Sequence, residues 1–188
     1  MQLRDKFSAG KKKYELVGDQ QVIVDSATLY RIRALKNFGN VKAGELGGFV
    51  SSERNLSHNG DCWVADDALV YGDAQVTDNA QVSDNASVFG NAKVSDNAWV
   101  GSKARIYGNA RIFENARVYS EGQVCENGWV YGDAVVRGNG FVGGDAVVHG
   151  DASVGGHAQV FDQAQLSGQE QVRGEEKIRG KTKPSFTP

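Results

Sequence analysis

An aliphatic residue returns at every sixth position along most of this chain, from Val64, Val70, Val76 and Val82 to Val160, Leu166, Val172 and Ile178, twenty times in phase. Two places before it stands a small residue, alanine in fourteen of the twenty hexads, as at Ala68, Ala74 and Ala80. Positions two apart share one face of an extended strand, so each hexad offers a small and an aliphatic side chain to the same interior. Two places after the aliphatic residue comes Gly in eleven hexads, and the next place is Asn or Asp in thirteen, as in Gly90-Asn91 and Asp96-Asn97. These residue types tolerate left-handed backbone angles, so a corner follows each short strand. Three such units close a triangular coil, and twenty hexads predict an all-β, parallel β-helix of six to seven coils.

The two ends depart from the repeat. Residues 1–60 do not follow the hexad; KKKYELVGDQQVIV and LYRIRALKNFGNVKAGELGGFV read as two or three strands with turns at Gly18-Asp19, Gly39-Asn40 and Gly47-Gly48. This segment is expected to form an N-terminal β cap over the first open edge of a helix spanning 61–168. The run from Lys11 to Lys13 reads as a solvated face. Near the other end the small position becomes Glu170 and then Glu176, and a lone carboxylate is costly inside an apolar core. The regular helix is therefore expected to end near Gly168, leaving 169–188 as a C-terminal cap and the tail KTKPSFTP.

The runs V-Y-G-D-A-Q-V-T-D-N-A-Q-V-S-D-N-A and V-F-G-N-A-K-V-S-D-N-A resemble the hexapeptide-repeat family. That resemblance implies a left-handed β-helix, a hand that periodicity does not give, and a homotrimer with parallel prism axes. The cap sequence L-Y-R-I-R-A-L-K, with G-E-L-G-G-F-V and N-L-S-H-N-G-D-C-W-V, resembles members encoded by bacteriophages and prophages and often labelled acyltransferases. Acyltransferases, γ-class carbonic anhydrases and non-catalytic proteins share the family fold, so the resemblance implies no single activity.

Composition narrows the function classes. With 188 residues, 40% of them hydrophobic, the chain can bury a substantial core. No apolar run approaches the ~20 residues needed to cross a bilayer. The opening MQLRDKFSAGKKKYEL carries charges where a secretory signal has its apolar centre, so a cytoplasmic location is expected, that of the bacterial host if the chain is phage-encoded. Cys62 and Cys125 read as reduced thiols. A formal charge of −2 argues against a dedicated nucleic-acid surface or membrane attraction.

With valine and alanine inside, function falls to the outward positions beside each aliphatic residue. Residues eighteen apart stack in columns there. One column carries Tyr71, Phe89, Tyr107, Cys125, Gly143 and Phe161. A second stacks Phe113, Tyr131 and His149 beside Arg111, Trp129 and Val147, and a third sets Trp99 and Arg117 beside Tyr119 and Arg137. So many outward aromatics suggest that one face is buried against another copy. Two groups are candidate ligand-binding residues in clefts between subunits: Arg111, Phe113, Trp129, Tyr131 and His149, or Trp99, Arg117, Tyr119 and Arg137. Rings that stack a planar group beside arginines that take phosphate suit a nucleotide-like ligand.

Signals for catalysis are thin. Of the three histidines, His58 lies at the cap junction and His157 at a corner, which leaves His149 as the one candidate base for an acyl-CoA-dependent acyltransferase. Twenty hexads in phase leave no room for an extruded loop to shape an acceptor pocket. His149 and His157 diverge, against a shared zinc site, and no P-loop, C-x-x-C or nucleophile elbow occurs. No metal or cofactor is expected. The reading that follows is a non-enzymatic homotrimer that binds a small nucleotide signal or a host protein, in a phage setting that counters host defence. An acyltransferase and a structural virion component are the alternatives.

Overall fold

A computed structural model describes residues 12–180. Twenty strands of two or three residues, from Trp63–Val64 to Lys177–Arg179, stack in parallel into three sheets that form the sides of a triangular prism. Two sides hold seven of these strands and the third holds six, which makes between six and seven coils. Register repeats at eighteen residues throughout, as where Trp99 pairs with Arg117 and Val100 with Val118. The alanine and valine of each hexad are fully buried from Ala68 to Val160 and form one continuous core. No helix among the described residues is long and apolar enough to cross a membrane.

The corners divide their work between two positions. Left-handed φ falls on the second residue after the aliphatic one, whether Gly or not: Asp84, Asp96, Ser102, Glu114 and Ser120 all lie between 55° and 60°. The Asn that follows serves a different end. Its amide donates to the residue eighteen places on, giving ladders such as Asn91 to Asn109 to Asn127 to Asp145 at 2.9–3.0 Å. The expectation that both places serve the left-handed turn is thus corrected.

Ahead of the prism, β1 (Tyr14–Val24) and β2 (Ala27–Ala34) form an antiparallel hairpin closed by Asp25 and Ser26, both at positive φ. Next, β3 (Leu46–Val50) pairs antiparallel with β2 and parallel with Leu69–Val70, so the cap prolongs one side of the prism, here the cap face. Of the three expected turns only Gly39-Asn40 is one. Gly18-Asp19 lies at a register shift inside β1, and Gly47-Gly48 lies inside β3. A Cβ on Gly47 would stand 2.4 Å from the Val64 carbonyl oxygen, and one on Gly48 2.5 Å from that of Ala68; these glycines allow close approach rather than a bend.

Outside the paired strand residues, nearly all backbone bonds between coils run one way. The N–H donates to the coil above, as from Gln81 to the Ala98 carbonyl at 2.9 Å, so the first coil is left with free carbonyls and the last with free N–H groups. The cap answers with donors. Lys13 Nζ reaches the carbonyls of Gly60 at 3.2 Å and Cys62 at 2.8 Å, and the Asn55 amide reaches those of Gly72 at 3.0 Å and Ala74 at 2.8 Å. Arg31 bonds the Asp66 carbonyl at 3.2 Å. At the upper end the Glu170 carboxylate accepts the Ser167 N–H at 2.7 Å. Strand pairing continues through Arg179, so the coil runs past Gly168, contrary to expectation. Glu170 and Glu176 are tolerated because no coil among the described residues lies above them and both are exposed. The tail KTKPSFTP and Lys11 lie outside the described residues.

Candidate functional site

The six-stranded side, from Gln75–Val76 to Gln165–Leu166, is here the aromatic face. The coil repeat sets Phe113, Tyr131 and His149 directly above one another, with ring centroids 4.7 and 5.0 Å apart and planes within 10° of parallel. Trp129 meets Phe113 edge-on at 6.1 Å, and the Arg111 guanidinium lies over the Trp129 ring at 5.1 Å. All five members of the first candidate group therefore form one patch, continued by Val147, the register partner of Trp129. Trp129 is 38% exposed, while Gln75, Lys93 and Gln165 make the rest of this face polar. Both faces of the Tyr131 ring are already occupied by its neighbours, so this column presents ring edges outward. It offers a flat apolar surface, not a slot for a planar group.

The seven-stranded side, from Trp63–Val64 to Gln171–Val172, is the arginine face. Trp99 lies across Gly101, where a Cβ would come within 2.4 Å of the indole, and its ring stands 5.7 Å from Tyr119. The indole N–H is held by Ser83 Oγ at 3.2 Å. Arg117 is the register partner of Trp99 and is exposed. One coil above Tyr119, Arg137 lies along the prism with Cγ and Nε 3.6 Å from where a Gly155 Cβ would stand. A depression of about 370 Å³ opens there, lined by Arg137, Gly138, Gly155, Gly156, Arg173 and Gly174. Arg173 was not among the sequence candidates; its signal was a shared column, thirty-six residues from Arg137. The two candidate groups occupy different sides of one chain.

The third aromatic column is accounted for largely within the chain. Leu29 and Phe49 of the cap pack on Tyr71, with Leu69 and Phe89 beside them, and Tyr71 Oη donates to the Asp25 carboxylate at 3.0 Å. Burial first, and then that carboxylate, push the Tyr71 hydroxyl up to about 12. Phe89 stacks on Tyr71 at 5.0 Å and on Tyr107 at 5.1 Å. The lower part of this face is covered by the chain's own hairpin, not held open for another copy.

A polar cluster at the cap junction went unread in the sequence. Lys13, taken there as part of a solvated run, is wholly buried, while Lys12 beside it is exposed and pairs with Glu53 at 2.7 Å. Lys13 Nζ also lies 3.2 Å from Cys62 Sγ and over the Phe38 ring. Burial holds the Lys13 ammonium below its ordinary range and the Cys62 thiol above its own. His58 accepts the Lys13 N–H, stacks on Tyr14 at 4.4 Å and stands 3.8 Å from Glu53; burial lowers its pKa. Its bonds serve the cap. His157 meets Asn139 at 3.3 Å in a corner ladder. From Trp63 to Arg179 no loop leaves the coil.

The family described as the YdcK beta solenoid repeat matches residues 104–120 of this chain, the stretch from Ala104 to Ser120 in the middle of the prism. No curated protein matches the chain.

Proposed function

We propose that this β-solenoid is a non-enzymatic binding protein that assembles as a homotrimer through its aromatic face and holds a small phosphate-bearing, nucleotide-like ligand against its arginine face. The observation that carries this reading is the division between the two sides. On one, rings stacked flat on each other around a half-exposed Trp129 make an apolar surface of the kind that protein interfaces bury. On the other, exposed arginines line an open depression. In a threefold ring with parallel axes, the aromatic face of one copy meets the next copy beside its arginine face, so the ligand lies in a shared cleft.

Light scattering on the purified chain tests the assembly: a trimeric mass is expected, reduced to monomer by Trp129→Glu, and a monomeric wild-type chain overturns it. Mass spectrometry of small molecules released on denaturation tests the ligand. Recovery of an intact nucleotide supports the reading, and failure of every nucleotide tried to bind or to shift the melting temperature sinks it. Acyl-CoA turnover abolished by His149→Ala would replace it with an enzyme.

A further inference from the structure

The corner that follows the arginine face changes its chemistry halfway up the prism. In the lower coils the Asp66 carboxylate accepts the N–H of Asp84 at 3.0 Å, and the Asp84 carboxylate accepts that of Ser102 at 2.7 Å. A carboxylate oxygen from one coil thus sits on the left-handed N–H of the next. In the upper coils the same column continues as Ser120, Gly138, Gly156 and Gly174, with the backbone still left-handed at 60–65° where the lower carboxylates stood at 54° and 60°. Among the described residues, the N–H groups of Gly138, Gly156 and Gly174 have no hydrogen-bond acceptor. The donor geometry persists and the internal anion is gone.

Arginine arrives where the carboxylates leave. Arg137 and Arg173 occupy the place just before this corner, two coils or about 10 Å apart, with Gly155 between them. Most other glycine corners follow an aromatic residue instead, as at Gly72, Gly90, Gly108 and Gly132. Neither arginine pairs with a carboxylate among the described residues; Arg173 donates to the Gln171 side-chain oxygen, and the Arg137 stem rests on Gly155. Glu175 and Glu176, on the far side of Gly174, are the acidic groups next along the chain.

The geometry points to an anion site in this depression, in which phosphate oxygens take the places that Asp66 and Asp84 carboxylates hold lower down. The Gly156 and Gly174 N–H groups supply directional donors, and the Arg137 and Arg173 guanidiniums supply charge and paired N–H bonds suited to a phosphate. Two guanidiniums on flexible stems, separated by a bare glycine step, favour a diphosphate over a single small anion. The site deepens the function proposed above and rests on it only in taking the ligand to be phosphate-bearing; all of its donors come from one chain.

Calorimetric titration of the full chain with pyrophosphate tests the site. Binding is expected, weaker at high salt, and Arg137→Ala or Arg173→Ala should each weaken it about tenfold or more, since each removes a charge-assisted contact. Gly138→Asp restores the internal carboxylate one coil below, where a Cβ stands 3.1 Å from the Gly156 nitrogen. It should abolish binding while leaving the melting temperature unchanged or raised. Absence of pyrophosphate binding, or binding indifferent to all three variants, overturns the site. Binding retained by a monomeric protein upholds the site and overturns only the trimeric reading; nucleotide binding indifferent to the same variants overturns the site and leaves that reading standing.

Discussion

Lys13 shows how far one side chain's role depends on what lies above it. A residue that reads as one of three surface lysines is wholly buried because the first coil directs its carbonyls downward, and an ammonium has three donors and no acceptor to waste. Replacement by Met keeps the stem but orphans the Gly60 and Cys62 carbonyls. Lys13→Met is therefore expected to cost about 2 kcal/mol in urea unfolding; an unchanged midpoint would mean that water satisfies those oxygens equally well. His58 gives the junction a pH response. Its pKa is lowered by burial, so the unfolded chain takes up the proton first as pH falls through about 6.5, and stability drops below that point. The melting temperature should fall more steeply between pH 7.5 and 5 in the wild type than in His58→Gln, and parallel curves would refute this. Neither role was legible in the sequence, because both depend on which coil edge the cap meets.

At the scale of the strand and corner, the hexad was readable down to the residue for everything that faces inward. Ala104 and Ile106 are buried as their spacing demands. What periodicity does not carry is the partner of each outward atom. Gly47-Gly48 shares its composition with a turn, and only the approach of the Val64 and Ala68 carbonyls explains it as strand. The corners likewise separate two kinds of non-glycine residue. Ser120 sits at φ 60° with no side-chain hydrogen bond among the described residues, so Ser120→Gly should raise stability by roughly 0.5–1 kcal/mol. Asp96, at φ 57°, has a carboxylate that accepts the Glu114 N–H at 3.1 Å. Asp96→Gly should bring no such gain, and equal gains from both in thermal melts would show that the carboxylate ladder contributes nothing.

Over the whole molecule, each coil bonds only to the coils above and below it, so stability is a sum of nearest-neighbour terms with two unlike ends. The lower end is closed by cap donors and, among the described residues, the upper by Glu170 at one N–H. Amide exchange is accordingly expected to be slowest between Ile106 and Val148 and fastest above Gly168; uniform protection along the prism would contradict this. The candidate site was legible in part. Columns eighteen apart place Phe113, Tyr131 and His149 together in the sequence itself, but that their rings consume one another's faces is a matter of the coil's rise. The depression at Arg137 was hidden for a related reason: it consists of side chains that are missing, and a glycine in a glycine-rich corner carries no mark of what it has replaced.

A triangular coil built of three equivalent sides also has a shift symmetry. Loss or gain of six residues in mid-prism leaves every alanine and valine in phase, yet it turns all later surface chemistry by a third of a revolution. The interior is blind to such a change, while the ladder through Phe113, Tyr131 and His149 would be cut at that point. Length variation in units of six thus re-deals the exterior at almost no cost to folding, and only multiples of eighteen keep each side of the prism continuous with itself.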